Sequence, residues 1–289
     1  TLFYTSGSTG HPKGVLSTHR AVLTALLSWE LDGTAAGEEL GFVLKPPPAQ
    51  AAALLGIPLF HVTGSHAVFL SSYRAQRKIV SMYKWDPEKA AELIEREQIN
   101  SFTGPPAVTH DLVTVAKQTN RDLSSLRVVG GGGAARAPEQ VRQIDATLET
   151  ATPNTGWGMT ETNAFGPGIT GSDYLTHPTS TGRAVLPMIV HVRDENLKEV
   201  PRGQAGEIWF FGPMLIRGYW NRPDATAETI VDGWLRSGDI GRMDEDGFFY
   251  IVQRKKDMII VSGYNVYPSA VEETLVRHPE VQQVAVEAV

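Results

Sequence analysis

Residues Tyr4–Val15 read Tyr-Thr-Ser-Gly-Ser-Thr-Gly-His-Pro-Lys-Gly-Val, and few folds have a use for such a segment. Gly7 and Gly10 let the backbone turn back on itself and aim N–H groups at one point. Thr5, Ser6, Ser8 and Thr9 add hydroxyl donors without bulk, and Lys13 adds a point charge, so the set suits a polyphosphate. It is not a Walker A loop, which needs Gly-Lys-Ser/Thr running into a helix; here Pro12 precedes the lysine and Gly14 follows it. A flexible Gly/Ser surface loop is the plain alternative. Such a loop has no need of a Pro-Lys-Gly ending framed by Leu2-Phe3-Tyr4 and Val15-Leu16.

The 289 residues can bury a full core in one large domain or two. Net charge is −6, from 26 basic and 32 acidic residues, and no basic run exceeds Arg254-Lys255-Lys256. This argues against a nucleic-acid surface; a small anionic ligand would need local positive charge. Cysteine is absent, which excludes disulfides, thiolate metal ligands and a cysteine nucleophile, and fits a cytoplasmic protein. Ala49–Tyr73 carries no Lys, Arg, Asp or Glu. Pro58, His61 and His66 interrupt it, and it reads as a buried strand followed by a buried helix, not as a transmembrane segment.

Strand-like and helical patterns alternate in the first half. Leu2–Tyr4 predicts a strand, and Thr18 caps a helix to about Leu31. Lys78–Met82 predicts a strand, and Asp86-Pro87-Glu88 opens a helix ending near Gln98. Ile99–Phe102 and Arg127–Val129 follow as strands, Pro106–Lys117 and Pro138–Leu148 as helices. The expectation is an α/β domain with a largely parallel sheet, to about residue 178. Beyond it, short strands at Met188–Arg193, Gly206–Phe211 and Phe248–Val252 predict an antiparallel β subdomain, the whole spanning residues 1–255. Residues 256–289 read as the beginning of a small α+β domain: strand Met258–Val261, a turn at Gly263, a helix from Pro268 to about Arg277, and strand Val281–Ala288.

Four further segments invite chemistry. Pro58-Leu59-Phe60-His61 precedes a helix, and a lone histidine there is usually a core residue. Gly130-Gly131-Gly132-Gly133-Ala134 joins a strand to a helix, a place where backbone approaches flat ligands, though a tight turn explains it equally well. Asn154-Thr155-Gly156-Trp157-Gly158-Met159-Thr160-Glu161 sets an aromatic, a hydroxyl and a carboxylate among small residues; a capped helix start at Thr160 accounts for all but Trp157. Trp234-Leu235-Arg236-Ser237-Gly238-Asp239 lies about fifteen residues before Arg254. Taken alone, its Gly-Asp pair reads as a turn.

In this order the segments resemble the signature motifs of the acyl-adenylate-forming (AMP-binding) superfamily, and the wording is most like that of fatty-acyl-CoA synthetases. The resemblance implies that Thr5, Ser6, Gly7, Ser8, Thr9, Gly10 and Lys13 hold the phosphates of ATP, with Lys13, Thr160 and Glu161 catalytic. Gly132, Gly133, Ala134, Trp157, Gly158 and Met159 would border the adenine, Trp157 stacking on it. Thr160 would touch the α-phosphate, Glu161 would bind Mg²⁺, Asp239 would accept from the ribose hydroxyls, and Arg254 would contact ribose or phosphate. His61 and Phe165 would line the acyl pocket. His61 stands where amino-acid-activating relatives place an aspartate, which argues for a plain carboxylic acid. Lys256 would be the hinge between domains, and Gly263 would line the CoA tunnel. Ala135, Arg136, Gln253 and Ala270 depart from the pattern; at the last two we expect tuning, not loss.

The implied reaction is AMP-forming ligation of a fatty acid to CoA, with ATP and CoA as substrates and Mg²⁺ as cofactor. Alternatives are an acyl-AMP ligase loading a carrier protein, a luciferase-like oxygenase, and a non-catalytic nucleotide-binding fragment. The family's adenylation lysine lies near the end of its small domain, and no lysine follows Lys256 here. The sequence is therefore expected to be a piece of a longer protein.

Overall fold

The computed structural model describes residues 1–5, 11–39, 50–257, 259–261, 264–266, 268–276, 278, 281 and 284–287. An antiparallel hairpin opens the chain: β1 (Leu2–Thr5) pairs with β2 (Lys13–Leu16), Thr5 opposite Lys13. Helix α1 (His19–Glu39) follows; the Thr18 hydroxyl accepts from Ala21 N at 3.1 Å, and the helix runs past the expected end near Leu31.

Next comes the α/β unit: β3 (Ala52–Leu55), a π-helix (Thr63–Leu70) running into α2 (Ser71–Arg74), β4 (Lys78–Ser81), α3 (Pro87–Glu97) and β5 (Ser101–Gly104). Helix α4 (Pro106–Gln118), β6 (Val128–Gly131), α5 (Pro138–Thr147) and β7 (Thr152–Gly156) complete its repeating pattern. Strand β8 (Gly168–Thr170) then leads into α6 (Gly171–Thr176). The sheet runs β4-β3-β5-β6-β7-β8, parallel throughout except for the antiparallel β8. All four residues of β3 are buried, as an apolar strand must be when helices cover both faces of its sheet. Its core joins Leu54, Phe102 and Val129 to Ala90 and Ile94 of α3 and Leu112 of α4.

The antiparallel subdomain contains β9 (Ile189–Arg193), β10 (Gly206–Phe211), β11 (Gly218–Tyr219), α7 (Pro223–Thr229), β12 (Ile230–Val231), β13 (Trp234–Met243) and β14 (Phe249–Arg254). Strand β11 leaves this sheet to pair with β2, tying the first hairpin to the subdomain. Strand β13, which the sequence presented only as a short motif, is ten residues long and interrupted. Glu207 faces Ile240 and Trp209 faces Arg236, so extra residues bulge from β13 around Gly238, at φ 71°. Glycine takes that left-handed conformation without strain, which is why the pair Gly238-Asp239 sits in a strand and still reads as a turn.

The chain continues with β15 (Ile259–Val261), β16 (Tyr264–Val266) and α8 (Pro268–Val276). The strand expected over 281–288 is not formed by residues 281 and 284–287. The N–H of Val286 is instead taken by the Glu272 carboxylate of α8 at 2.8 Å.

Helix α3 shows the local chemistry read from sequence. The Asp86 carboxylate accepts from Lys89 N at 3.0 Å, Pro87 takes the first helical position, and Gln98 ends the helix at φ 52°. Asp86→Ala should cost about 1 kcal/mol of stability, read as a lower urea midpoint with an unchanged slope.

Candidate functional site

A cavity of about 1660 Å³ opens at the carboxyl ends of β5, β6 and β7. The sheet contributes Thr103, Gly131–Gly133 and Asn154–Gly156 to its wall; the first hairpin contributes Tyr4, Thr5 and Lys13. The carboxyl ends of parallel strands are where an α/β sheet leaves a crevice, because loops diverge there to reach helices on opposite faces. Of the glycine segment, Gly132 and Gly133 form wall, whereas Ala134 is exposed beside it. Arg136 is buried under this loop. Its guanidinium donates to the Thr109 hydroxyl at 3.2 Å and the Gly130 carbonyl at 3.4 Å, and a Cβ on Gly131 would lie 2.5 Å from Nη2.

Gly158, Met159, Thr160 and Glu161 all reach the cavity. Thr160–Thr162 form a single 3₁₀ turn, fixed where the Thr162 hydroxyl accepts from Met159 N at 3.1 Å. The turn presents Glu161, only 6% exposed, with its carbonyl bonded by Ile216 N and its Oε1 receiving the Tyr219 hydroxyl at 2.6 Å. Lys13 comes to the same place from β2, its Nζ 4.3 Å from the centre of the Tyr219 ring. Burial, then the neighbouring Glu161 carboxylate, raises the Tyr219 hydroxyl pKa far above its usual value, so it stays a proton donor.

Asp239 lies on β13 opposite Arg254 of β14, its Oδ1 2.9 Å from Arg254 Nε. Burial pushes its carboxyl up to about 6, against the pull of Arg254 and of a hydrogen bond from Trp157, while Glu207 pushes it further up. Arg254, not Asp239, reaches the cavity wall. Trp157 also stays behind that wall: its ring packs on Phe210 at 4.9 Å between centroids. Next to the expected hinge, Glu207 receives Arg236 and Lys255, each at 3.0 Å. Burial acts to raise Glu207, but the two cations outweigh it and hold its pKa below the usual value. Lys256 lies in the 3₁₀ turn Lys255–Asp257 that follows β14. Gln253 is buried with both amide atoms unpartnered among the described residues.

His61 and Phe165 also line the cavity, joined by Leu26 and Trp29 of α1. Phe165 is 1% exposed and meets Trp29 edge-on, with centroids 5.8 Å apart. His61 accepts from Thr63 N at Nδ1, and partial burial lowers its pKa, so the ring is neutral near pH 7. Ser6–Gly10 and Gly263 fall outside the described residues. Sequence reading missed Tyr219, Arg136, Trp29 and Leu26. For Arg136 the signal was present, an arginine where the pattern has an apolar residue; the others stand in segments with no motif.

A sequence profile described as AMP-binding enzyme matches residues 1–220. The chain belongs to the AMP-binding enzyme family. It is 35% identical over 294 residues to the medium/long-chain-fatty-acid–CoA ligase FadD8 of Mycobacterium tuberculosis, covering 99% of this chain and 48% of that protein. It is also 35% identical to a feruloyl-CoA synthase of Amycolatopsis, covering 99% and 55%. Among solved structures, the o-succinylbenzoate–CoA synthetase MenE of Bacillus subtilis in complex with AMP superposes with a TM-score of 0.84 at 27% identity, covering 100% of this chain and 56% of that one. The chain thus spans about half the length of the curated relatives it matches.

MenE has also been solved with ATP and a magnesium ion. The donors here fit that metal. Two buried carboxylates border the cavity: Glu207, held by Arg236 and Lys255, and Glu161, which makes no salt bridge among the described residues. Magnesium bound with a nucleotide commonly uses one or two carboxylates, with phosphate oxygens and water completing its shell. Also among the described residues, no helix is long and apolar enough to cross a membrane.

The raised Asp239 carboxyl makes the stability of the fold depend on pH. The folded state keeps a proton that the unfolded chain releases near pH 4, so this group's contribution is greatest below that pH. It declines as pH rises toward 6 and is constant above. Asp239→Asn should remove that decline. The stability of the variant relative to wild type, from urea curves at each pH, should rise by roughly 2–3 kcal/mol between pH 4 and 7.

Proposed function

We propose that the protein carrying this chain is an AMP-forming acyl-CoA ligase acting on a fatty acid, in the cytoplasm. The observation that carries the reading is the mixed lining of one cavity: Lys13 and Glu161 meet at Tyr219, and Leu26, Trp29 and Phe165 add apolar surface. A polyphosphate and an apolar acid both find matching surface there. Likeness to CoA ligases at about 35% identity supports the reaction class. His61, neutral and held by Thr63 N, offers no counter-charge to an ammonium group, which supports a plain acid. We assign residues 1–255 to the large domain and 256–289 to the start of the small one.

In the first half-reaction the acid's carboxylate attacks the α-phosphorus of ATP, giving acyl-AMP and pyrophosphate. In the second, the thiol of CoA attacks the acyl carbonyl and AMP leaves. Both partners of the first step are anions, so the site must neutralise and align them. Lys13 and the Ser6–Gly10 segment would take the phosphates, Thr160 the α-phosphate, and Asp239 and Arg254 the ribose side. Glu161 would hold Mg²⁺, which screens phosphate charge when bound. Gly132 and Gly133 would border the adenine, with Trp157 behind the wall, and His61 and Phe165 the acid. Lys256 would be the pivot exchanging the two half-reactions, with Gly263 on the CoA side.

The test is acid-dependent ATP–pyrophosphate exchange by the full-length protein, across fatty acids of graded length and a hydroxycinnamate, followed by CoA-dependent AMP release. Glu161→Gln should lower exchange roughly 10²–10³-fold, the scale for losing one preorganised electrostatic group, with circular dichroism unchanged. Full exchange by the folded variant would remove Glu161 from the mechanism. No exchange by the wild-type protein with any acid would remove the ligase reading.

A further inference from the structure

Tyr219 has no place in the mechanism above, yet it touches both of the charged residues that mechanism needs most. Its backbone is fixed twice: it pairs with Val15 of β2, and its N–H donates to the Thr226 hydroxyl of α7 at 2.8 Å. Val15, Ile216 and Ala225 pack around its 7%-exposed side chain. A ring held in this way has little freedom, so whatever binds it is placed with it. The hydroxyl donates to Glu161 Oε1 at 2.6 Å, and the ring face lies 4.3 Å from Lys13 Nζ.

Among the described residues Glu161 makes no salt bridge, and its side chain is held by the Tyr219 hydroxyl at 2.6 Å. Glu161 borders the cavity. A carboxylate there can offer an oxygen to a cation arriving from the cavity. Lys13 meanwhile is drawn to the negative face of the aromatic ring, which orients its ammonium without neutralising it. Glu228 and Thr229 of α7 border the same part of the wall, and Glu228 adds negative charge near the hydroxyl.

We propose that Tyr219 is a positioning residue that sets the metal carboxylate and the phosphate lysine in common register. Its hydroxyl holds Oε1 of Glu161 so that the other oxygen is left for Mg²⁺, and its ring seats Lys13 for the phosphates. The inference rests on the reading of Glu161 as the Mg²⁺ ligand. The two contacts use different parts of one side chain, so substitutions separate them. Tyr219→Phe removes the hydroxyl and keeps the ring; Tyr219→Leu removes both.

The experiment is calorimetric binding of a non-hydrolysable ATP analogue to the full-length protein, with and without Mg²⁺, beside thermal melts of each variant. Tyr219→Phe should raise the Mg²⁺ concentration for half-saturation roughly tenfold, as expected for loss of one hydrogen bond to a charged group, and leave Mg²⁺-free binding unchanged. Tyr219→Leu should weaken Mg²⁺-free binding as well. In a Glu161→Gln background Tyr219→Phe should have no further effect. Tyr219→Leu also lacks the hydroxyl, so it should show the same Mg²⁺ shift and serves if Tyr219→Phe does not fold. A Mg²⁺ response untouched by Glu161→Gln would overturn the metal assignment. A response that Glu161→Gln abolishes, but that Tyr219→Phe or Tyr219→Leu leaves as in wild type, would overturn the role of Tyr219.

Discussion

The parallel register of β5, β6 and β7 is the constraint on which the site depends. Gly104 pairs with Gly131, and Gly131 with Thr155, so three strands end at one level and release their loops side by side. The glycine loop and the segment leading to Glu161 reach the cavity together for that reason. The buried guanidinium of Arg136 strengthens the arrangement by donating to Gly130 of β6 and Thr109 of α4. It is a charged pin where a hydrophobic one would also serve. Its cost is a desolvated cation, compensated here by neutral oxygens and not by a carboxylate among the described residues.

A second sheet finishes what the first begins. Strand β11 leaves the antiparallel subdomain to pair with β2, which places Tyr219 between the hairpin bearing Lys13 and the turn bearing Glu161. The bulge at Gly238 turns β13 so that Asp239 faces Arg254 across the ladder. Burial raises the Asp239 carboxyl to about 6 even with Arg254 beside it, a case in which desolvation outweighs one ion pair. Trp157 closes this group from behind, packed on Phe210 and bonded to Asp239. Asp239, Arg254, Trp157 and Phe210 thus form one connected group.

Beside that cluster, Glu207 anchors Lys255 and Arg236, holding the end of β14 to the subdomain just before Lys256. Its partners are half-buried or better, so they are screened less than surface pairs and hold the carboxyl in its charged form. The chain therefore enters its last segment from a fixed point.

Local chemistry alone determined much of the architecture. Alternating periodicities gave the α/β order, and Asp86, Pro87 and Gln98 marked the ends of α3, because caps and turns depend on neighbours a few residues away. The positions of Glu161, Lys13 and the glycine loop were legible as motifs, since each chemistry needs particular residue types in close spacing. Tertiary structure alone decided that Tyr219 meets residues 58 and 206 positions away from it in sequence, that Trp157 packs on Phe210, and that Arg136 lies buried. It also decided that 284–287 form no strand. These outcomes turn on pairing and burial between distant segments, and a strand without a partner or a cation without a neighbouring carboxylate is not a local property. Sequence named the candidate groups; sheet register and burial brought them within reach of one another.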